Sequence, residues 1–220
     1  MNLRKLTVLA LVVGLGGMLV GASAQVPKRT TGIGHGVPAA GGGAAGEGVH
    51  IRRIEGVGKQ YTVKTPEFTT SHQAGTKRPA DWGEIRLIFD TTPEWIDELS
   101  VQYFVLTLTK DKGKNLYSFY KTTVRYGDIA GGSGHMVAVY LPPAAVKRYG
   151  SPVAVAAEIT VADKVVDTRS ESGGLKLPDK WWQDPSVLGK DNVSIRNEYL
   201  VSKGHSPFAL INIDDYEAER

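Results

Sequence analysis

From Val49 onward the chain is a series of short alternating runs separated by turn residues. "EIRLIFD", Glu84 to Asp90, places Ile85, Leu87 and Phe89 on one face at period two. Leu99 to Thr109 is a longer strand rich in Val, Thr, Tyr and Phe, the types that fit a pleated, half-buried surface. "KDKGKN" makes a tight polar turn, and Leu116 to Tyr126 returns as the hairpin partner. Val49 to Val57, Tyr61 to Lys64, Met136 to Leu141, Val153 to Val161 and Val165 to Thr168 supply the other strands. "ADK" at 162–164 forms a second hairpin turn. About seven strands with no long helix between them predict an all-β fold, an immunoglobulin-like antiparallel β-sandwich with short helical turns.

Two such turns are expected. Thr92-Pro93-Glu94 reads as an N-cap, Pro at the first helical position, then an acid at the positive end of the dipole. "PPAAVKRYGSP" reads as a turn that Gly150 stops. Tyr149, at the entry to the Val153 strand, parallels the corner tyrosine of immunoglobulin-type sandwiches. Further on, "LPDKWWQDP" is a Trp-bearing turn and "SPFALINID" a late strand.

Residues 1–24 have a different texture. Arg4 and Lys5 precede an apolar run from Leu6 to Val20, and Ala22-Ser23-Ala24 offers a cleavage site. This reads as a signal peptide with Gln25 as the new N-terminus. The run falls short of the roughly 20 residues a membrane span needs, so no integral span is expected after signal removal. Residues 25–48 are dominated by Gly, Ala and other small residues and read as a flexible tether. "GIGHG" within them neither follows a strand nor opens a helix, so it is no phosphate loop. Residues 49–220 form the single folded domain, with a loop-rich C-terminal extension.

Charge changes the picture little. Removing residues 1–24 takes Lys+Arg from 26 to 24 against 23 Asp+Glu, so a net +3 becomes +1. A nearly neutral chain gives no case for nucleic acid. With 0 Cys there are no disulfides, thiolate metal sites or Cys nucleophiles, so stability must come from a packed core.

Candidate chemistry is sparse. Glu94, Asp97 and Glu98 share one short stretch, whereas glycosidase carboxylates flank a cleft from different elements. They read as acids on a solvated lip. The five His (35, 50, 72, 135 and 205) show no metal-ligand spacing. Ser133 lies near His135 without a nucleophile elbow, and Asn192-Val193-Ser194 is an idle sequon. Catalytic, cofactor-binding and metal residues are accordingly expected to be none. Trp181 and Trp182 are the candidate surface contact. In an extended backbone they point opposite ways, so one plugs the core while the other stacks on a sugar or fills a partner's pocket. The reading favoured here is that both cover the end of the sandwich.

Three stretches together resemble a known family: "DWGEIRLIFDTTPEWIDELSVQYFVLTLTKDKGKNLYS", "LPPAAVKRYGSPVAVAAEI" and "WWQD". The family is that of small secreted bacterial proteins of the Verrucomicrobial type, pilus-like and associated with type IV pilus proteins. The carriers include Trp82, Glu84, Phe89, the Pro93 to Leu99 run, Tyr103, Tyr149-Gly150 and Trp181-Trp182. The resemblance implies an immunoglobulin-like sandwich in the periplasm, on the cell surface or secreted. It also implies a structural role without catalytic residues. The expected partners are other pilus or cell-envelope proteins, or further copies of the chain, engaged through a sheet edge or an aromatic patch. The other reading is a carbohydrate-binding module using Trp181 or Trp182. A third is an enzyme with a scattered site at Glu94 or His135.

Overall fold

The computed structural model describes residues 48–67 and 78–211. Chain contacts divide the protein into Met1–Gly41 and Gly42–Arg220, and every described residue lies in the second unit. The expected signal segment, nearly all of the tether, His35, His72 and the end of the expected late strand, Asn212 to Asp214, lie outside the described residues.

A long hairpin organises the domain. Strand β3 (Asp81–Asp111) has 31 residues and β4 (Lys114–Leu141) has 28. The turn between them is Lys112-Gly113, with φ of 46° and 80°. Positive φ at both central residues matches the right-handed twist of the flanking strands, and glycine adopts it without a Cβ penalty. Each strand fuses two runs that the sequence divides. β3 joins Glu84–Asp90 to Leu99–Thr109, and β4 joins Leu116–Tyr126 to Met136–Leu141.

The expected helical turn at Thr92-Pro93-Glu94 does not form. The backbone stays extended through an irregularity in which Thr91 pairs with Gly132 and Trp95 with Ala130. Four steps on β3 thus oppose two on β4. The Thr92 hydroxyl, the expected cap, donates to the Gly48 carbonyl at 3.3 Å instead, and its neighbour Thr91 ties the irregularity to β4. The Thr91 hydroxyl donates to the Ala130 carbonyl (2.9 Å) and accepts from the Gly132 N–H (3.0 Å). The Thr92 N–H donates to the Gly48 carbonyl (2.8 Å). Pro93, with no N–H, sits in the bulge, where no ladder bond is lost.

The rest of the sheet adds to the two halves of this hairpin. β1 (Val49–Glu55) and β2 (Thr62–Lys64) pair with the first half of β3, and a 3₁₀ turn at Lys59–Tyr61 lies between them. β5 (Ser151–Val161) pairs with the second half of β3, and β6 (Lys164–Ser172) with β5. The β5–β6 turn, Ala162-Asp163, also has two positive φ values, 47° and 61°. β7 (Val193–Ile195) runs parallel to the start of β4, and β8 (Val201–Ser202) antiparallel to its end. The all-β expectation holds. Among the described residues the architecture is one mixed sheet of 8 strands, with one parallel pairing, in place of about seven separate antiparallel strands.

One hydrophobic core draws on both halves of the hairpin: Ile85, Leu87 and Phe89 with Val137 and Val139, then Val101, Tyr103 and Val105 with Tyr120 and Val124. These sets sit on alternating positions of their strands, so the inward face reads at period two. The Tyr103 and Tyr126 hydroxyls, both fully buried, meet at 3.3 Å. The sheet ends β1 and β6 also approach each other, joined by side chain rather than by ladder. Asp167 Oδ2 accepts from the Ile51 N–H at 2.7 Å and lies 3.0 Å from His50 Nδ1.

Helix α1 (Pro143–Tyr149) forms as expected and ends at Gly150. Tyr149 takes part in an aromatic cluster: the Arg196 guanidinium lies 4.0 Å from its ring centroid, and Tyr199 packs edge-on at 5.7 Å. The expected late strand at Ser206–Asp214 is corrected over its described part, since residues 206–211 form turns. There the Phe208 ring stacks on Tyr140 at 4.4 Å. That packing orders the segment without a strand partner.

Candidate functional site

The candidate ionisable groups are dispersed among the described residues. No group of three or more His, Cys, Asp or Glu is placed to hold a metal ion. His50 pairs with Asp167, His135 lies 3.1 Å from the Thr91 hydroxyl, and His205 lies 3.2 Å from the Ser202 hydroxyl. The three belong to different parts of the fold. Glu94, Asp97 and Glu98 are exposed along the bulged part of β3. Burial pushes the Tyr120 phenol above its ordinary value, but that group is enclosed in the core.

Trp181 and Trp182 are brought together, and neither faces out. Their exposures are 2% and 4%. The extended geometry behind the outward-facing expectation does not occur. Both lie in a turn after Lys180, whose φ is 54°, and their rings meet edge-to-face at 5.8 Å. They cover a second apolar cluster of Phe104, Leu106, Phe119, Ala154, Ala156 and Val187. These β3, β4 and β5 residues alternate with those of the main core, so the cluster lies on the opposite face of the sheet. Trp182 stacks on Phe104 at 5.7 Å, and Trp181 packs edge-on to Phe119 at 6.2 Å. Glu158, buried on β5, anchors the strap. Its Oε1 accepts from Trp182 Nε1 (3.0 Å) and Gln183 Nε2 (2.8 Å). Asp184 then caps the short helix α2 (Pro185–Leu188) through the Ser186 N–H at 2.8 Å. Sequence reasoning passed over Glu158, although an acid at the parity of Ala154 and Ala156 in "VAVAAEITV" is itself a signal.

A second feature is a cluster of charge where β1 nears β6. Glu55 is held by Arg53 (2.9 Å) and lies 3.8 Å from Arg86, which also reaches Glu84 (3.0 Å). Glu171 enters this cluster with a buried Oε2 that has no hydrogen-bond partner. Burial, and secondarily the Glu55 charge, push its carboxyl above the ordinary value. A carboxyl raised in the folded state leaves stability full below its unfolded value and costs stability progressively as pH rises through the folded value, because ionisation is easier in the unfolded chain. Glu171→Gln is therefore expected to raise the urea midpoint at neutral pH. The gain should vanish under acidic conditions where wild-type Glu171 is already protonated. Paired unfolding curves at the two pH values check this.

The third feature is an open strand edge. β7 covers only Tyr117–Phe119 of β4, and β8 covers only Val139–Tyr140. Between them, no described strand pairs with that side of β4. Lys121, Thr123 and Arg125 lie along this edge, all exposed.

With this geometry established, comparison with other proteins places the chain. A protein-family model matches residues 52–220, most of the chain. The chain belongs to that family. Its match takes in the second apolar cluster, the Trp strap, the open β4 edge and all of the main core except Val49 and Ile51. A crystal structure from Akkermansia muciniphila is similar with a TM-score of 0.62 and 20% sequence identity, covering 80% of this chain and 98% of that one. That likeness is one of fold. A search of curated protein sequences gave no match.

Proposed function

We propose that this family member is an exported, non-enzymatic binding protein of immunoglobulin-like build that works in or near a pilus or other cell-envelope assembly. The observation that carries the reading is the open edge of β4. It offers main-chain donors and acceptors in a fold whose described residues hold no metal cluster. Recognition by strand addition needs only such an edge. The stretches resembling pilus-like secreted proteins supply the setting, and no described helix is long and apolar enough to cross a membrane. The carbohydrate reading finds no support, because the two rings it needs are buried against Phe104 and Phe119.

Expression of the full chain in a bacterial host with a pilus system, followed by fractionation and crosslinking, tests the proposal. The expected result is a chain shortened by about the length of a signal peptide, found outside the cytoplasm and crosslinked to pilus or envelope subunits. An unprocessed cytoplasmic chain, or substrate turnover abolished by Glu94→Gln or His135→Ala, would overturn it.

A further inference from the structure

We propose that β4 between Lys121 and Arg125 is an acceptor site for one kind of partner strand, acidic on one face and apolar on the other. This rests on the binding role proposed above and specifies its site and partner chemistry.

The direction of the main-chain groups comes first. Tyr117 donates its N–H to the Asn192 carbonyl, and the Phe119 carbonyl accepts from the Arg196 N–H, each at 2.8 Å. Residues 117 and 119 therefore aim their main chain at the β7 side. In an antiparallel ladder each residue points both groups to one side, and successive residues alternate. The β3–β4 register is unbroken from Asp111↔Lys114 to Glu98↔Gly127. Lys121, Thr123 and Arg125 thus continue the row that β7 begins, with N–H and C=O pointing outward. No described main-chain group bonds to them.

The side chains then select the occupant. Lys121, Thr123 and Arg125 share the outer face. Lys121 Nζ lies over the Phe104 ring at 5.7 Å, and the Thr123 hydroxyl accepts from Gln102 Nε2 at 3.0 Å. Among the described residues no carboxylate pairs with Lys121 or Arg125. On the opposite face Val124 belongs to the core. A strand laid here satisfies the edge with acids facing Lys121 and Arg125 and small apolar groups continuing the Val124 face. Edge cations also guard against indiscriminate pairing. In particular, two copies paired about Thr123 would set Lys121 opposite the second copy's Arg125, an unfavourable like-charge pairing. The same charges that discourage self-pairing favour an acidic strand.

The test uses residues 25–220 and two capped peptides of eight residues, one alternating Glu with Val and one alternating Lys with Val. Fluorescence anisotropy measures binding, and hydrogen exchange reads the amides of Lys121, Thr123 and Arg125. The Glu peptide should bind at least about tenfold more tightly than the Lys peptide, a difference of about 1.4 kcal/mol, and should protect those three amides. Thr123→Pro removes one outward N–H while leaving the β3 ladder donors in place, so it should abolish binding and keep the thermal midpoint. Lys121→Glu combined with Arg125→Glu should invert the peptide preference.

Charge-dependent binding that survives Thr123→Pro without amide protection would show adsorption to a basic surface and overturn strand addition. Concentration-dependent self-association protecting the same amides would make the second copy the occupant and overturn it equally, as would failure of the Glu peptide to bind. A failed peptide with pilus crosslinks intact removes this site alone. Loss of export and of the crosslinks removes the broader function.

Discussion

Replacing Trp182 with Ala is expected to lower the unfolding free energy by about 3–5 kcal/mol, the range for removing a large buried aromatic. The ring stacks on Phe104 and touches Trp181 edge-on, so its loss opens a cavity against two aromatic neighbours. The loss also takes one of two donors from buried Glu158, whose Oε1 would keep only Gln183. Removing one partner from a buried carboxylate costs more than the bond was worth, because the group stays desolvated. Trp182→Phe partly separates the two contributions, since it keeps a ring against Phe104 while losing the indole N–H and part of the ring volume. It should fall between wild type and Trp182→Ala in urea unfolding. A Trp182→Ala midpoint equal to that of wild type would mean that the strap does not cover the sheet in solution. A Trp serving as an exposed binding platform would behave oppositely, with stability kept and ligand affinity lost.

What the sequence showed, and what it did not, divides along a physical line. Period-two alternation marks which residues face a core, and Ile85, Leu87 and Phe89 lie inward as expected. The "KDKGKN" and "ADK" turns were equally plain, because positive φ at consecutive positions demands particular residues or a tight loop. The stretch Thr92 to Glu94 was misread because its chemistry is local and its fate is not. Thr, Pro and an acid suit a helix start, yet Gly48, distant in sequence, takes both the Thr92 hydroxyl and its N–H, while Ala130 and Gly132 hold the adjacent Thr91. For the Trp pair, only the outward-facing reading needs an extended backbone, and Lys180 with φ of 54° turns the chain before it; both rings are covering residues, but which face they cover depends on where the strap docks. The open edge could not be read at all. Whether Lys121 to Arg125 has a neighbour depends on where "NVSI" and "LVS" dock, and no periodicity within β4 records that.

Gly150→Ala is the other substitution expected to be severe, at about 3 kcal/mol or more, and it tests how α1 is joined to the sheet. Gly150 has φ of 85° and ψ of −179°. That combination is essentially confined to glycine, and any side chain there costs about 1–3 kcal/mol in backbone strain. Space adds a second cost. A Cβ would sit 1.9 Å from the Leu108 carbonyl oxygen and 2.7 Å from its carbon, both main-chain atoms of β3. No rotamer relieves such a contact, so either β3 or the end of α1 must move, and displacing well-packed elements costs about 1–3 kcal/mol more. The Gly150 N–H, which closes α1 on the Val146 carbonyl at 3.0 Å, would be disturbed as well. Gly113→Ala isolates the first cost from the second. Its φ is 80°, but nothing lies within 4 Å of a Cβ built there. It should cost about 1–2 kcal/mol, that of placing an L side chain in the left-handed region. Guanidinium unfolding of the two variants side by side measures the difference. A gap well above 1 kcal/mol confirms that α1 is pressed onto β3 at Gly150, and equal losses would show that the approach relaxes freely.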